Sequence, residues 1–197
     1  MNEPDHREPR RRYVLAVVGN AGALPRPVEE ICFELGRRAV EARFRLVTGG
    51  LGGIMEAASR GARAAASWRD GDVIGVLPGY DRRAANPHVD IVLPTGMQIG
   101  RNVILAAMAD VIIAIGGGAG TLSEVAIAWQ LGKPIVALTA AGGWAERLSG
   151  ASVDARRVDS IHGASTAAEA IALALKLAER GVPEPGDIGS GWRQPVE

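Results

Sequence analysis

The stretch Ala114–Glu124, AIGGGAGTLSE, joins residue types that can handle an anion and a proton. Gly116, Gly117, Gly118 and Gly120 follow an apolar run and precede a helical pattern. Glycine lets backbone N–H groups approach a ligand closely, and a helix start adds partial positive charge. Thr121 offers a hydroxyl, and Glu124 offers a carboxylate that can stabilise positive charge or hold a proton. Arg101 lies upstream, early in a helix expected from Gln98 and just before the strand that delivers the glycines. A guanidinium in that place suits a phosphate or a carboxylate. Plainer readings stand beside these. Arg101 also fits a solvated helix arginine. Thr121-x-x-Glu124 fits a capping box, in which the two side chains satisfy backbone N–H groups. That spacing recurs at Thr166-x-x-Glu169 and, with glutamine, at Thr95-x-x-Gln98. Spacing alone leaves both readings of Glu124 open.

Other glycine-rich segments also follow strand-like runs: GNAG at Gly19–Gly22, GGLGG at Gly49–Gly53, and LPG at Leu77–Gly79. In a parallel sheet such exits share one rim, where ligands of open α/β sheets bind. Gly19, Gly49, Gly50, Gly52, Gly53 and Pro78 therefore join Asn102, Gly116, Gly117, Gly118, Gly120 and Thr121 as candidates for contact with a phosphate-bearing ligand. The alternative is that the loops are only tight strand-to-helix turns. No loop has the G-x-G-x-x-G spacing of a dinucleotide fingerprint, and none ends in the lysine of a P-loop.

Strand-like and helix-like runs alternate along the chain. Strands are expected at 13–18, 45–48, 73–77, 89–93, 111–115 and 134–138, and helices at 27–42, 54–66, 98–109, 120–131 and 166–180. The strands at 13–18, 111–115 and 134–138 are continuously apolar, as strands covered on both faces should be. The expected fold is α/β: a Rossmann-like, doubly wound, mostly parallel sheet with helices on both faces. One domain is expected over 13–181. A flexible basic tail is expected at 1–12, where the run Arg10–Arg12 reads as solvated, and a second flexible tail at 182–197.

The 197 residues suffice for one core, and 47% are hydrophobic, as in ordinary globular proteins. Formal net charge is zero, so nothing in the overall charge favours nucleic acid. The single cysteine, Cys32, falls on a helical apolar stripe and reads as core. It excludes an internal disulfide, in keeping with a cytoplasmic setting. His6, His88 and His162 lack ligand spacing, so no metal is expected. No signal peptide and no membrane-spanning run are read, and no membrane partner is expected.

The combined segment GMQIGRNVILAAMADVIIAIGGGAGTLSE resembles the Lonely Guy (LOG) superfamily, formerly labelled lysine decarboxylase. Arg101 matches the family arginine. Gly117, Gly118, Gly120, Thr121 and Glu124 match its P-G-G-x-G-T-x-x-E motif. The resemblance extends from about Tyr13 to Leu138 and includes VTGGLGGIMEAASRGA and VIGVLPG. Gly116 replaces the motif proline, Asn102 replaces a common lysine, and Glu56 stands where plant-type sequences usually have glycine. These departures resemble the branch that contains the molybdenum-cofactor carrier protein.

The resemblance implies one of two functions. The first is binding of a phosphate-bearing nucleotide or pterin, with the molybdenum cofactor or a nucleotide as a possible ligand and no required cofactor. The alternative is hydrolysis of nucleoside 5'-monophosphates to base and ribose 5-phosphate, with Arg101 and Glu124 as the catalytic pair. It also implies a homodimer or homotetramer. The old decarboxylase label does not suit this chain. A pyridoxal-phosphate enzyme needs a lysine for its Schiff base. Of the two lysines, Lys133 precedes a strand and so lies at the opposite sheet edge from the glycine loops, and Lys176 lies in the last helix.

Overall fold

A computed structural model describes residues 11–155 and 157–180. It runs β1 (Val14–Gly19), α1 (Arg26–Glu41), β2 (Arg45–Thr48), α2 (Ile54–Arg63), β3 (Val73–Leu77), β4 (Ile91–Pro94), α3 (Arg101–Met108), β5 (Val111–Ile115), α4 (Ala119–Gln130), β6 (Ile135–Leu138), α5 (Gly143–Leu148), β7 (His162–Ala164) and α6 (Ala167–Glu179). The seven strands form one sheet in the order β4-β3-β2-β1-β5-β6-β7. Every pairing is parallel. The expected Rossmann-like architecture is the one observed.

Strand order reverses between β1 and β5, which pair from Leu15 opposite Val111 to Gly19 opposite Ile115. Such a reversal sends the two outgoing loops to opposite faces and leaves a crevice between them. Side-chain alternation divides the core. Leu15, Val17, Val111, Ile113 and Ile115 point to the face covered by α1, α2 and α6. Ala16, Val18, Ile112 and Ala114 point to the other, with Leu105, Val125 and Trp129 from α3 and α4. Both faces are covered by apolar side chains, which explains why β5 carries no polar residue.

Most elements begin within a residue or two of expectation, but three differences have physical causes. Gln98–Gly100 is a short 3-10 turn, so α3 starts at Arg101. Gln98 has φ of +51°, which the α-helix does not accept. The fourth strand begins at Ile91, because Val89 N–H donates to Asn86 O in a turn. The stretch after β6 contains α5 and β7, neither of which had been expected. Both are very short, and β7 gains its order by pairing with β6.

Of the tails expected at 1–12 and 182–197, only Arg11 and Arg12 fall among the described residues. Arg11 Nη2 donates to Asp110 Oδ1 at 2.7 Å. Arg12 is ion-paired with Asp72 and donates to Phe44 O at 2.8 Å.

Candidate functional site

A cavity of about 450 Å³ lies at the carboxyl edge of the sheet, over the reversal point. β1 delivers Gly19, Asn20, Ala21 and Gly22 to it, and the start of α4 delivers Gly118, Gly120, Thr121 and Glu124. Gln98, Ile99, Arg101 and Asn102 close a third side, with Pro78, Leu51 and Met55 at the flank.

The α4 end of the crevice follows from the glycines. After β5 the chain turns through Gly116 and Gly117, with φ of +56° and +96°. Their carbonyls are held from behind by α5: Ala145 N–H donates to Gly116 O at 2.9 Å. Gly118 is then the N-cap of α4 and provides no side-chain cap. The first N–H groups of a helix have no acceptor within it, so this turn presents donors and partial positive charge to the crevice.

That arrangement corrects the capping-box reading of Thr121 and Glu124. Both lie inside α4, so neither can serve as its cap. A side-chain cap does form at Thr166, whose Oγ1 accepts from Glu169 N–H at 3.2 Å, while the Glu169 carboxylate accepts from Ser165 N–H, one residue before the cap. At Thr95 the hydroxyl accepts from Met97 N–H and donates to Leu77 O, which makes a turn and no box.

Arg101 is the first residue of α3, and it is 9% exposed; Glu124, one turn into α4, is 6% exposed. Their side chains meet once, with Arg101 Nη1 donating to Glu124 Oε1 at 3.4 Å. The solvated-helix reading of Arg101 is thereby overturned. The guanidinium lies against Gly49: a Cβ at that position would overlap Nη1, Nη2 and Cζ. Asn102 is held by Ser123, with Nδ2 donating to Oγ at 2.8 Å, and Ser123 Oγ donates onward to Gly120 O at 2.7 Å. This chain ties α3 to the first turn of α4.

Burial pushes the Glu124 carboxyl up to about 7, and the nearby Arg101 only partly offsets it. Burial also lowers Arg101, with Glu124 opposing the shift. One long contact does not compensate two charges removed from water. Near neutrality Glu124 is therefore shared between its two forms, the condition for a group that gives or takes a proton.

The expected site residues thus separate into groups. Gly19, Pro78, Arg101, Asn102, Gly118, Gly120, Thr121 and Glu124 come together at the crevice. Gly116 and Gly117 form the turn behind it, and Gly49 and Gly50 are buried, Gly49 serving as the bed for Arg101. Gly52 and Gly53 line a neighbouring cavity instead. Asn20, Ala21, Gly22, Leu51, Met55, Gln98 and Ile99 join the crevice without having been expected there. The first three were legible as part of the GNAG loop. Gln98 and Ile99 were concealed by an apparent helix.

Lys133 Nζ donates to Ala107 O, at the amino edge of the sheet and away from the crevice. Among the described residues no three His, Cys, Asp or Glu side chains gather as a metal site. None of the described helices is long and apolar enough to cross a membrane.

The model of the SLOG cluster4 family matches residues 12–174. The rice cytokinin riboside 5'-monophosphate phosphoribohydrolase LOG is 33% identical over an alignment that covers 94% of this chain and 80% of that protein. The crystal structure of TM1055 superposes with a TM-score of 0.75 at 36% identity, covering 83% of this chain and 99% of the other. The molybdenum cofactor carrier protein of Chlamydomonas reinhardtii superposes with a TM-score of 0.71 at 32% identity, covering 85% and 99%.

Proposed function

This chain belongs to the SLOG cluster4 family, within the LOG superfamily, and from that premise we propose that its crevice binds a small ligand bearing a phosphate, a nucleotide or a phosphorylated pterin. One observation carries the reading: the Arg101 side chain and the uncapped first turn of α4 line the same crevice. An anion seated there gains a charge-assisted bond from the guanidinium and backbone donors from Gly118–Thr121. The volume of about 450 Å³ lies within the usual range for small-ligand sites, roughly 300–1,000 Å³. The likeness to a molybdenum cofactor carrier supports a binding role, with that cofactor as cargo.

Titration calorimetry with AMP and adenosine tests the reading. A charge-assisted hydrogen bond contributes roughly 1.5–3 kcal/mol, so AMP should bind at least about tenfold more tightly. Equal affinities would refute it.

Glu124 supports a second reading, hydrolysis of the N-glycosidic bond of a nucleoside 5'-monophosphate. The ribosyl centre of such a reaction is cationic in its transition state. The Glu124 carboxylate would stabilise that charge and take the proton of the attacking water, while Arg101 holds the phosphate. The likeness to the rice phosphoribohydrolase favours this reading too. Incubation with a panel of nucleoside monophosphates, followed by chromatography for free base, separates the two. If base is released, Glu124→Gln should slow release by about a hundredfold, the scale of losing a positioned acid–base group. Tight binding without release leaves the carrier role.

A further inference from the structure

A second cavity, of about 480 Å³, borders the crevice. Ala21 and Gly22 stand in the walls of both, so the loop after β1 is the ridge between them. At Gly22 an added Cβ would meet nothing within 4 Å, and no side chain closes the ridge there. The second cavity is completed by Gly52 and Gly53 and by Glu29, Glu56 and Arg60.

The two cavities differ in charge. The crevice holds the Arg101–Glu124 pair and the start of α4, whereas the second cavity has two carboxylates and one guanidinium. In the second cavity Arg60 is already engaged, with Nη2 donating to Glu29 Oε1 at 2.7 Å. Glu56, in the first turn of α2, is half-buried, and its Oε2 lies beside Gly52. It has no hydrogen-bond or ion-pair partner among the described residues. A carboxylate partly withdrawn from water and left unbonded gains from any donor pair that reaches it.

We propose that the ligand crosses the ridge at Gly22, with its phosphate in the crevice and its heterocycle in the second cavity, where Glu56 accepts two adjacent N–H groups. The ligand class is a ring with a ring N–H beside an exocyclic amino group, as in a 2-amino-4-oxo heterocycle. Two parallel N–H donors match the two oxygens of a carboxylate. An adenine ring presents an amino group beside a ring acceptor, so it forms one bond and sets a lone pair against the second oxygen. The inference rests on the phosphate-binding reading and adds the choice of ring to it.

Calorimetry with GMP, IMP, AMP and guanosine tests both separately. In wild type, GMP should bind at least about tenfold more tightly than AMP, and more tightly than IMP, which lacks the amino group. Glu56→Gln should abolish the GMP preference or tilt it toward AMP, since an amide offers one acceptor and one donor. The advantage of GMP over guanosine should survive that substitution. Gly22→Val should melt as wild type does, because its Cβ has room and its backbone is unstrained, yet bind GMP at least about tenfold more weakly by blocking the ridge. Three results would overturn the inference while leaving phosphate binding intact: equal GMP and AMP affinities in wild type, an unchanged preference in Glu56→Gln, or unchanged GMP affinity in Gly22→Val. If no nucleotide outbinds its nucleoside, the phosphate reading fails and this inference falls with it.

Discussion

Replacing Glu124 by glutamine should change how stability depends on pH. The folded protein holds the Glu124 proton up to about pH 7, whereas an ordinary glutamate releases it near 4.5. Between those values the unfolded chain has lost a proton that the folded chain keeps. Stability therefore falls as pH rises through the window, and the full loss is reached above about pH 7. Linkage over that gap, taken from about pH 5 to about pH 8, removes about 2–3 kcal/mol from the wild type. Glutamine does not titrate. Its effects on packing and on Arg101 are independent of pH in this range, so they cancel when two pH values are compared. Urea unfolding of both proteins at the two pH values measures the quantity directly. The stability of Glu124→Gln relative to wild type should rise by about 2–3 kcal/mol on going to the higher pH, which corresponds to roughly 5–10 °C in Tm for a domain of this size. Parallel pH profiles for the two proteins would refute the claim that Glu124 is a buried carboxyl poised near neutrality.

Three further outcomes are expected. Gly49→Ala should displace the Arg101 guanidinium, since the new methyl group overlaps it; the overpacking should cost roughly 1–3 kcal/mol in urea unfolding, and AMP affinity should fall together with it. Lys133→Ala should leave AMP affinity unchanged, and added pyridoxal phosphate should produce no aldimine absorbance in either protein, because Lys133 lies at the opposite sheet edge. Thr166→Ala should cost roughly 0.5–2 kcal/mol of stability, as expected for a true N-cap of α6, whereas an unchanged melting curve would show that the Thr166 cap contributes nothing.

The alternation of apolar runs with amphipathic ones was enough to establish a parallel α/β sheet, because strands buried on both faces must be apolar throughout. Val111–Ile115 is wholly buried, and its sequence says so. Glycine runs marked the loops at the carboxyl edge, since only a few residue types turn a chain so sharply. Short elements were not legible. β7 has three residues and pairs with β6, and α3 starts late because Gln98, whose N–H donates to Pro78 O, takes a left-handed conformation.

The site divides along the same line. Which residues have suitable chemistry, Arg101, Glu124 and the glycines after β5, was readable from type and spacing. What each one does was decided by tertiary structure. The sequence alone offered Thr121 and Glu124 as a capping box, but the N-cap of α4 is Gly118, and that three-residue offset places Thr121 and Glu124 inside the helix, with a buried carboxyl facing a crevice. Gly49, a candidate ligand contact by sequence, is buried and forms the surface against which Arg101 lies. The elevated Glu124 proton affinity depends on burial between α3 and α4, elements whose contact no local pattern encodes. Local sequence specifies conformations within a few residues. Desolvation and charge pairing depend on what folds against a group from far along the chain, and for Arg101 and Glu124 that partner is 23 residues away.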